Sequence, residues 1–137
     1  MTRALVVSTL LVLCLVWQPA NACKVLVRFP DHLDFNREVS SRSYVVEIIA
    51  HHDKGYVGRV KQSFGGVFEV DKPVVVRFVE NEEAHAICPI TIAPGSTYLL
   101  IGAQPDTDLV ISKFNWLNVP STHERFSTYV HDLESGP

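Results

Sequence analysis

Cysteine is scarce in this chain, with three in 137 residues, and so are the features that mark most functional classes. The apolar run Ala4 to Trp17 is too short for the ~20 residues that cross a bilayer, and no charged stop-transfer flank follows it, which excludes a membrane span. Basic residues are outnumbered, 12 Lys and Arg against 15 Asp and Glu. Nucleic acid and anionic membrane are therefore disfavoured as partners. No G-x-S-x-G elbow appears, and Gly65-Gly66 is too short to cradle a phosphate and lacks a following Lys-Ser/Thr. Glu80, Glu82 and Glu83 are closely spaced acids of the kind that line a solvated loop. His51-His52-Asp53 offers imidazoles, yet adjacent strand residues point to opposite faces and no third ligand sits at a short fixed offset. A surface turn is the expectation there, and no enzyme is expected from the chain as a whole. Repeats, low-complexity tracts and N-x-Ser/Thr glycosylation sites are also missing.

What is present begins with the N-terminus. One positive charge at Arg3, the apolar run, and Gln18-Pro19-Ala20-Asn21-Ala22 with small residues at the third and first positions before Cys23 make a secretory signal over 1–22 with an Ala-x-Ala cleavage site. Asn21 argues against the lipid-anchored variant of such a signal. The expected product is a secreted protein of the extracellular space, one domain over 23–137, with Cys23 as its first residue. Cys14 leaves with the signal, and in an oxidising compartment the remaining Cys23 and Cys88 most simply form one disulfide. Its loop would be worth roughly 4 kcal/mol on the chain-entropy account, and it would hold a terminus that ordinarily frays.

Five strands are expected from β-branched and aromatic runs bounded by Gly, Pro and Asp: 44–50, 67–70, 73–79, 97–103 and 109–114. Turn signals separate them at Asp53-Lys54-Gly55, Gly65-Gly66, Asp71-Lys72-Pro73, Ala93-Pro94-Gly95-Ser96 and Gln104-Pro105-Asp106. Pro94-Gly95 favours a type II turn. Beyond Pro120, Ser121 with Glu124 reads as a capping box, and Phe126, Tyr129, Val130 and Leu133 recur at helical spacing. The fold class that follows is mainly β, a five-stranded OB-like Greek-key barrel with a C-terminal helix. A flat sandwich is the competing architecture.

The order of these features resembles a known family. A signal ending before Cys23, a strand running into Ala50-His-His-Asp-Lys-Gly55, Cys88 near the middle, Gly95-Ser-Thr-Tyr-Leu-Leu-Ile-Gly102, Leu109-Val-Ile-Ser112, and Trp116 before a short helix are similar to the netrin-like domain. Specifically, they resemble the N-terminal domain of the tissue inhibitors of metalloproteinases. The resemblance implies an OB barrel with Cys23 bonded to Cys88. It also implies an inhibitory wedge in which the amine and carbonyl of Cys23 chelate the zinc of a target metalloproteinase. Lys24 would enter the specificity pocket, Val25 and Leu26 would lie along the cleft, and Ala86-Ile87 would form the adjoining edge.

By that mapping Val25 and Phe114 stand where the family carries a second cysteine pair, so an apolar contact would replace that bridge. The protein would have no cofactor of its own, the zinc being the target's. Its partners would be extracellular zinc metalloproteinases and, as a further class, matrix components. The alternative is a non-inhibitory netrin-like module of the extracellular matrix, or a ligand-binding one, with Cys23 a structural anchor only.

Overall fold

The computed structural model describes residues 29–32, 36–83 and 88–136. The signal 1–22, Cys23, Lys24, Val25, Leu26, Ala86 and Ile87 lie outside the described residues.

Six strands and two helices occur among the described residues. They are α1 (Arg37–Ser40), β1 (Ser43–His52), β2 (Gly55–Ser63), β3 (Pro73–Phe78), β4 (Thr97–Gln104), β5 (Leu109–Ile111), β6 (Val119–Pro120) and α2 (Phe126–Ser135). The sheet runs β1-β2-β3-β5-β4, and β1 then pairs with β4 to close a five-stranded barrel, with β6 added on β4. All pairings are antiparallel except β3 with β5, where Val76 faces Leu109 and Phe78 faces Ile111 in parallel. The expected OB-like barrel with a C-terminal helix is therefore the fold, and the flat sandwich is excluded by closure.

Closure depends on the bending of β1, which serves two partners. Its ladder with β2 slips between Val45 and Val46 and again between Ile48 and Ala50. Such bulges sharpen local twist and turn a strand round a barrel corner. Ile49 is the unpaired residue of the second bulge and is 46% exposed, an apolar side chain that the bulge turns outward. Beside it the 93–96 turn packs in, with Gly95 N–H donating to Ile48 O at 2.8 Å and Ile48 N–H to Ser96 O at 2.9 Å. Gly95 has φ 89°, and Ser96 N–H closes on Ala93 O at 3.2 Å. That is the type II geometry expected of Pro94-Gly95.

Two cores share the barrel wall. Inside lie Tyr44, Val46 and Ile48 of β1, Val60, Val74, Val76, Tyr98, Leu100, Leu109, Ile111 and the loop residue Ile92. Outside, Val45, Leu99, Ile101 and Val119 meet Tyr129 and Leu133 of α2. Successive residues of β4 thus face opposite cores, which is why Tyr98-Leu-Leu-Ile101 is apolar without interruption. The two buried residues of α2 sit at i and i+4, one stripe of the helix.

Four sequence expectations need correction. Residues 67–70 form no strand. Val60 N–H instead reaches Lys72 O at 3.1 Å, and Asp71 N–H reaches Val60 O at 2.7 Å, so the ladder passes the loop by. Gly65 (φ 98°) and Asp71 (φ 65°) bend the chain at either end of it. The missing strand is β2, whose Gly58 faces inward because there is no room for more. A Cβ there would lie 2.5 Å from Val46 Cγ1 and 3.0 Å from Glu47 O.

β5 ends at Ile111 rather than Phe114, since Ser112 and Lys113 bond elsewhere. Finally, Ser121 does not cap the helix. Its N–H is taken by Thr97 O at 2.8 Å, α2 begins at Phe126, and Arg125 at its start makes no side-chain cap bond. The C-terminal expectation holds: Gly136 terminates α2 with φ 68° and donates to Leu133 O at 3.3 Å.

Candidate functional site

Cys88 is the one residue of the expected wedge that the structure describes. It is half-buried and disulfide-bonded, and its partner sulfur lies outside the described residues, where both Cys14 and Cys23 fall. It lines a cavity of about 340 Å³ together with Phe29, Ile90, Trp116, Asn118 and His123, among others. The cavity is formed by three stretches far apart in sequence, brought together by the barrel. They are the segment entering at Phe29, the connection from β3 to β4, and the connection from β5 through β6 to α2.

Each stretch is held by polar contacts. The β3–β4 connection is gripped at Ser112 and Lys113. The Glu82 carboxylate accepts from Ser112 Oγ and from Lys113 N–H (3.1 Å), and Ile90 N–H donates to Lys113 O at 2.6 Å. Glu82 and Ile90 are therefore both tethered to the one neighbouring dipeptide Ser112-Lys113. This corrects the sequence expectation for the acidic run. Glu80 and Glu83 are exposed, but Glu82 is half-buried and fixes a loop.

The floor is set by Asn118, 5% exposed, whose Oδ1 accepts from Ile101 N–H at 2.7 Å while its amide donates to Ser112 O at 2.9 Å. A buried amide so engaged ties β4 to the end of β5, and removing it would strand a backbone N–H. Asn115 accepts from Leu117 N–H through Oδ1 at 2.9 Å.

The N-terminal stretch is fastened to α2 and the turn before it. Tyr129 donates its hydroxyl to Pro30 O at 3.0 Å, Arg125 pairs with Asp31 at 2.5 Å, and His32 pairs with Asp132 at 3.1 Å. Burial pushes the Tyr129 phenol above its ordinary value of 10.0. Phe29 lies edge-on to Trp116 (centroids 5.8 Å apart, 70° between planes) and 4.6 Å from the His123 ring. His123 Nδ1 in turn accepts from Arg125 N–H at 3.1 Å.

Phe114, the expected replacement for a second bridge, is buried at 9% exposure, with Lys113 Nζ 5.3 Å from its ring centre. His51 and His52 end β1 at an exposed turn, where His52 Nδ1 accepts from Lys54 N–H at 3.2 Å and His51 sits 5.2 Å from the Tyr56 ring. Among the described residues no three of His, Cys, Asp and Glu are grouped to hold a metal.

A second polar surface lies apart from Cys88, where Arg77 bridges Asp106 and Asp108 (3.3 Å to the latter). The Asp106 carboxyl is held below its ordinary value, chiefly by the N–H and hydroxyl of Thr107 and then by Arg77.

The sequence pointed to Cys88 because cysteines are so few. It did not point to Phe29, Asn118, His123 or Glu82. The available signal was slight: an Asn between Leu117 and Val119, and an aromatic beside Pro30. Comparison with family models, with curated proteins and with solved structures returned no match.

Proposed function

We propose that the chain is a secreted inhibitor of zinc metalloproteinases, bonded Cys23 to Cys88, in which the free α-amine and carbonyl of Cys23 take the open position of the target's catalytic zinc. The observation that supports this most is that Phe29 and Cys88 line one cavity. Cys23 stands six residues before Phe29, a reach of at most about 20 Å for an extended chain, so the Cys23–Cys88 bond needs no rearrangement of the barrel. Phe29 to His32 are tethered to α2 and the turn before it, and Glu82 and Ile90 tether the loop bearing Ala86 and Ile87. Both sides of the wedge would thus be presented on a rigid base, which limits the freedom lost on docking.

The chemistry is simple. A catalytic zinc keeps one position for water or substrate. An α-amine with an unperturbed pKa near ~8 loses its proton readily on binding metal. Lys24 would enter the specificity pocket, with a desolvation cost that makes it the selectivity element, and Val25 and Leu26 would follow the cleft.

The second reading, a netrin-like module of the extracellular matrix that binds a ligand, is favoured by the cavity itself. The deciding experiment is a titration of protein beginning at Cys23 against a panel of matrix metalloproteinases, with a form carrying one extra N-terminal Ala as control. Inhibition by the first and not the second supports the chelating wedge. No inhibition by either returns the protein to the matrix-binding reading.

A further inference from the structure

We propose that the cavity beside Cys88 is a binding pocket for a small planar aromatic molecule carrying a hydrogen-bond-accepting oxygen, a carboxylate or a carbonyl. At about 340 Å³ it lies within the range of small-molecule sites, ~300 to 1,000 Å³. Its walls supply flat apolar surface, with Phe29 edge-on to Trp116 and tilted against His123. Aromatic ligands find edge-to-face partners in such an arrangement.

The polar groups of the lining are biased towards donors. His123 Nδ1 is already occupied as an acceptor from Arg125 N–H, so the neutral ring carries its proton on Nε2. Asn115 uses its Oδ1 on Leu117 N–H, which leaves its amide NH₂. Neither His123 Nε2 nor Asn115 Nδ2 has a hydrogen-bond partner among the described residues. Asn118, by contrast, uses both ends of its amide within the protein. Two half-buried donors without a protein partner, on residues lining the aromatic walls, fit a ligand with an acceptor better than a pure hydrocarbon, which offers them nothing in exchange for water.

The pocket is independent of whether Cys23 engages a metal. Phe29 and Cys88 line it as well, but Trp116, His123 and Asn115, to which the ligand contacts are assigned, play no part in the inhibitory reading.

Trp116 makes the test direct, since the chain has two tryptophans and the other, Trp17, falls in the expected signal. Protein beginning at Cys23 therefore has a single indole N–H resonance. Benzoate and acetophenone would be titrated as acceptor-bearing probes, with ethylbenzene as the hydrocarbon control, following amide and indole shifts by two-dimensional NMR. Saturable shifts are expected at Trp116, Thr91 and Val119 with the first two probes, and binding at least tenfold weaker with ethylbenzene.

Asn115→Asp keeps the oxygen that serves Leu117 and replaces the amide donor by an anionic oxygen. It should weaken benzoate at least tenfold and leave ethylbenzene unchanged. Thr91→Phe, on the exposed lip, tests the pocket without touching the core and should weaken both acceptor probes. Absence of saturable shifts with either acceptor probe would overturn the proposal. So would shifts away from the cavity, or benzoate binding that Asn115→Asp does not alter.

Discussion

The two long connections that flank β3 are built on different principles. The one before it, 64–72, is shaped by backbone: Gly65 and Asp71 with positive φ, Lys72 N–H on Glu69 O, and Gly66 so close to Tyr44 that a Cβ would fall 1.7 Å from its hydroxyl. Its side chains stay close to it: Phe68 packs edge-on to Tyr44 (5.2 Å between centroids), Phe64 lies against the outer core, and Val67 is 82% exposed. The one after it, 79–96, is shaped by side chains reaching other elements, with Glu82 on Ser112 and Lys113 and Cys88 through its sulfur. A loop fixed by its backbone holds its own shape. One fixed by remote side chains holds its position relative to the rest of the molecule, which is what a binding edge requires.

This contrast can be broken at several points. Cys88→Ser should have the largest effect, lowering stability by about 2 to 5 kcal/mol as loss of a disulfide does in small secreted domains; an unchanged melting temperature would show that the bond carries no load. Glu82→Ala should cost about 1 to 3 kcal/mol by leaving Lys113 N–H and Ser112 Oγ without their acceptor. Hydrogen exchange at Lys113 and Ile90 should rise in this variant, and if only Lys113 responds the two tethers act separately.

Tyr129→Phe removes the bond to Pro30 and should cost about 1 kcal/mol at neutral pH. Burial raises the folded-state value of this phenol, so its contribution is complete below the unfolded value of 10.0 and is lost as pH climbs through the folded one. In pH-dependent melting, the wild type should accordingly lose stability above pH 10.0 more steeply than the variant. The smallest effect should come from Val67→Ser, within about 0.5 kcal/mol by denaturant titration. A larger loss would mean that Val67 is packed against something after all.

The same contrast explains what was legible in the sequence. β1, β3 and β4 each carry an apolar run rich in β-branched or aromatic residues, Tyr44-Val-Val46, Val74-Val-Val76 and Tyr98-Leu-Leu-Ile101, and the run in β4 is buried on both faces, so composition alone marks them. β2 hides because Gly55, Gly58, Arg59 and Lys61 dilute its pattern. Gly58 is there to admit Val46, a fact of tertiary packing that no local window contains. Val67 to Val70 mimic a strand in composition, yet glycine and a left-handed Asp71 deny them a partner. Ser121 and Glu124 match a capping box, but the Ser121 N–H is spent on Thr97.

At the site, Cys88 stood out by rarity. Phe29, Glu82, Asn118 and His123 became neighbours only when the barrel closed, and nothing in their separate stretches announces it.

Closure itself has a consequence in time. The β1–β4 ladder joins Ser43 to Ile101 and Glu47 to Thr97, partners fifty or more residues apart, and the parallel β3–β5 pair joins Val76 to Leu109 with the whole of β4 between them in the chain. Loop-closure entropy must be met before these contacts give any return, and barrels of such non-local pairing fold in milliseconds to seconds, not microseconds. The cavity beside Cys88, whose walls come from Phe29, Cys88 to Thr91 and Asn115 to His123, is complete only once such distant stretches have met.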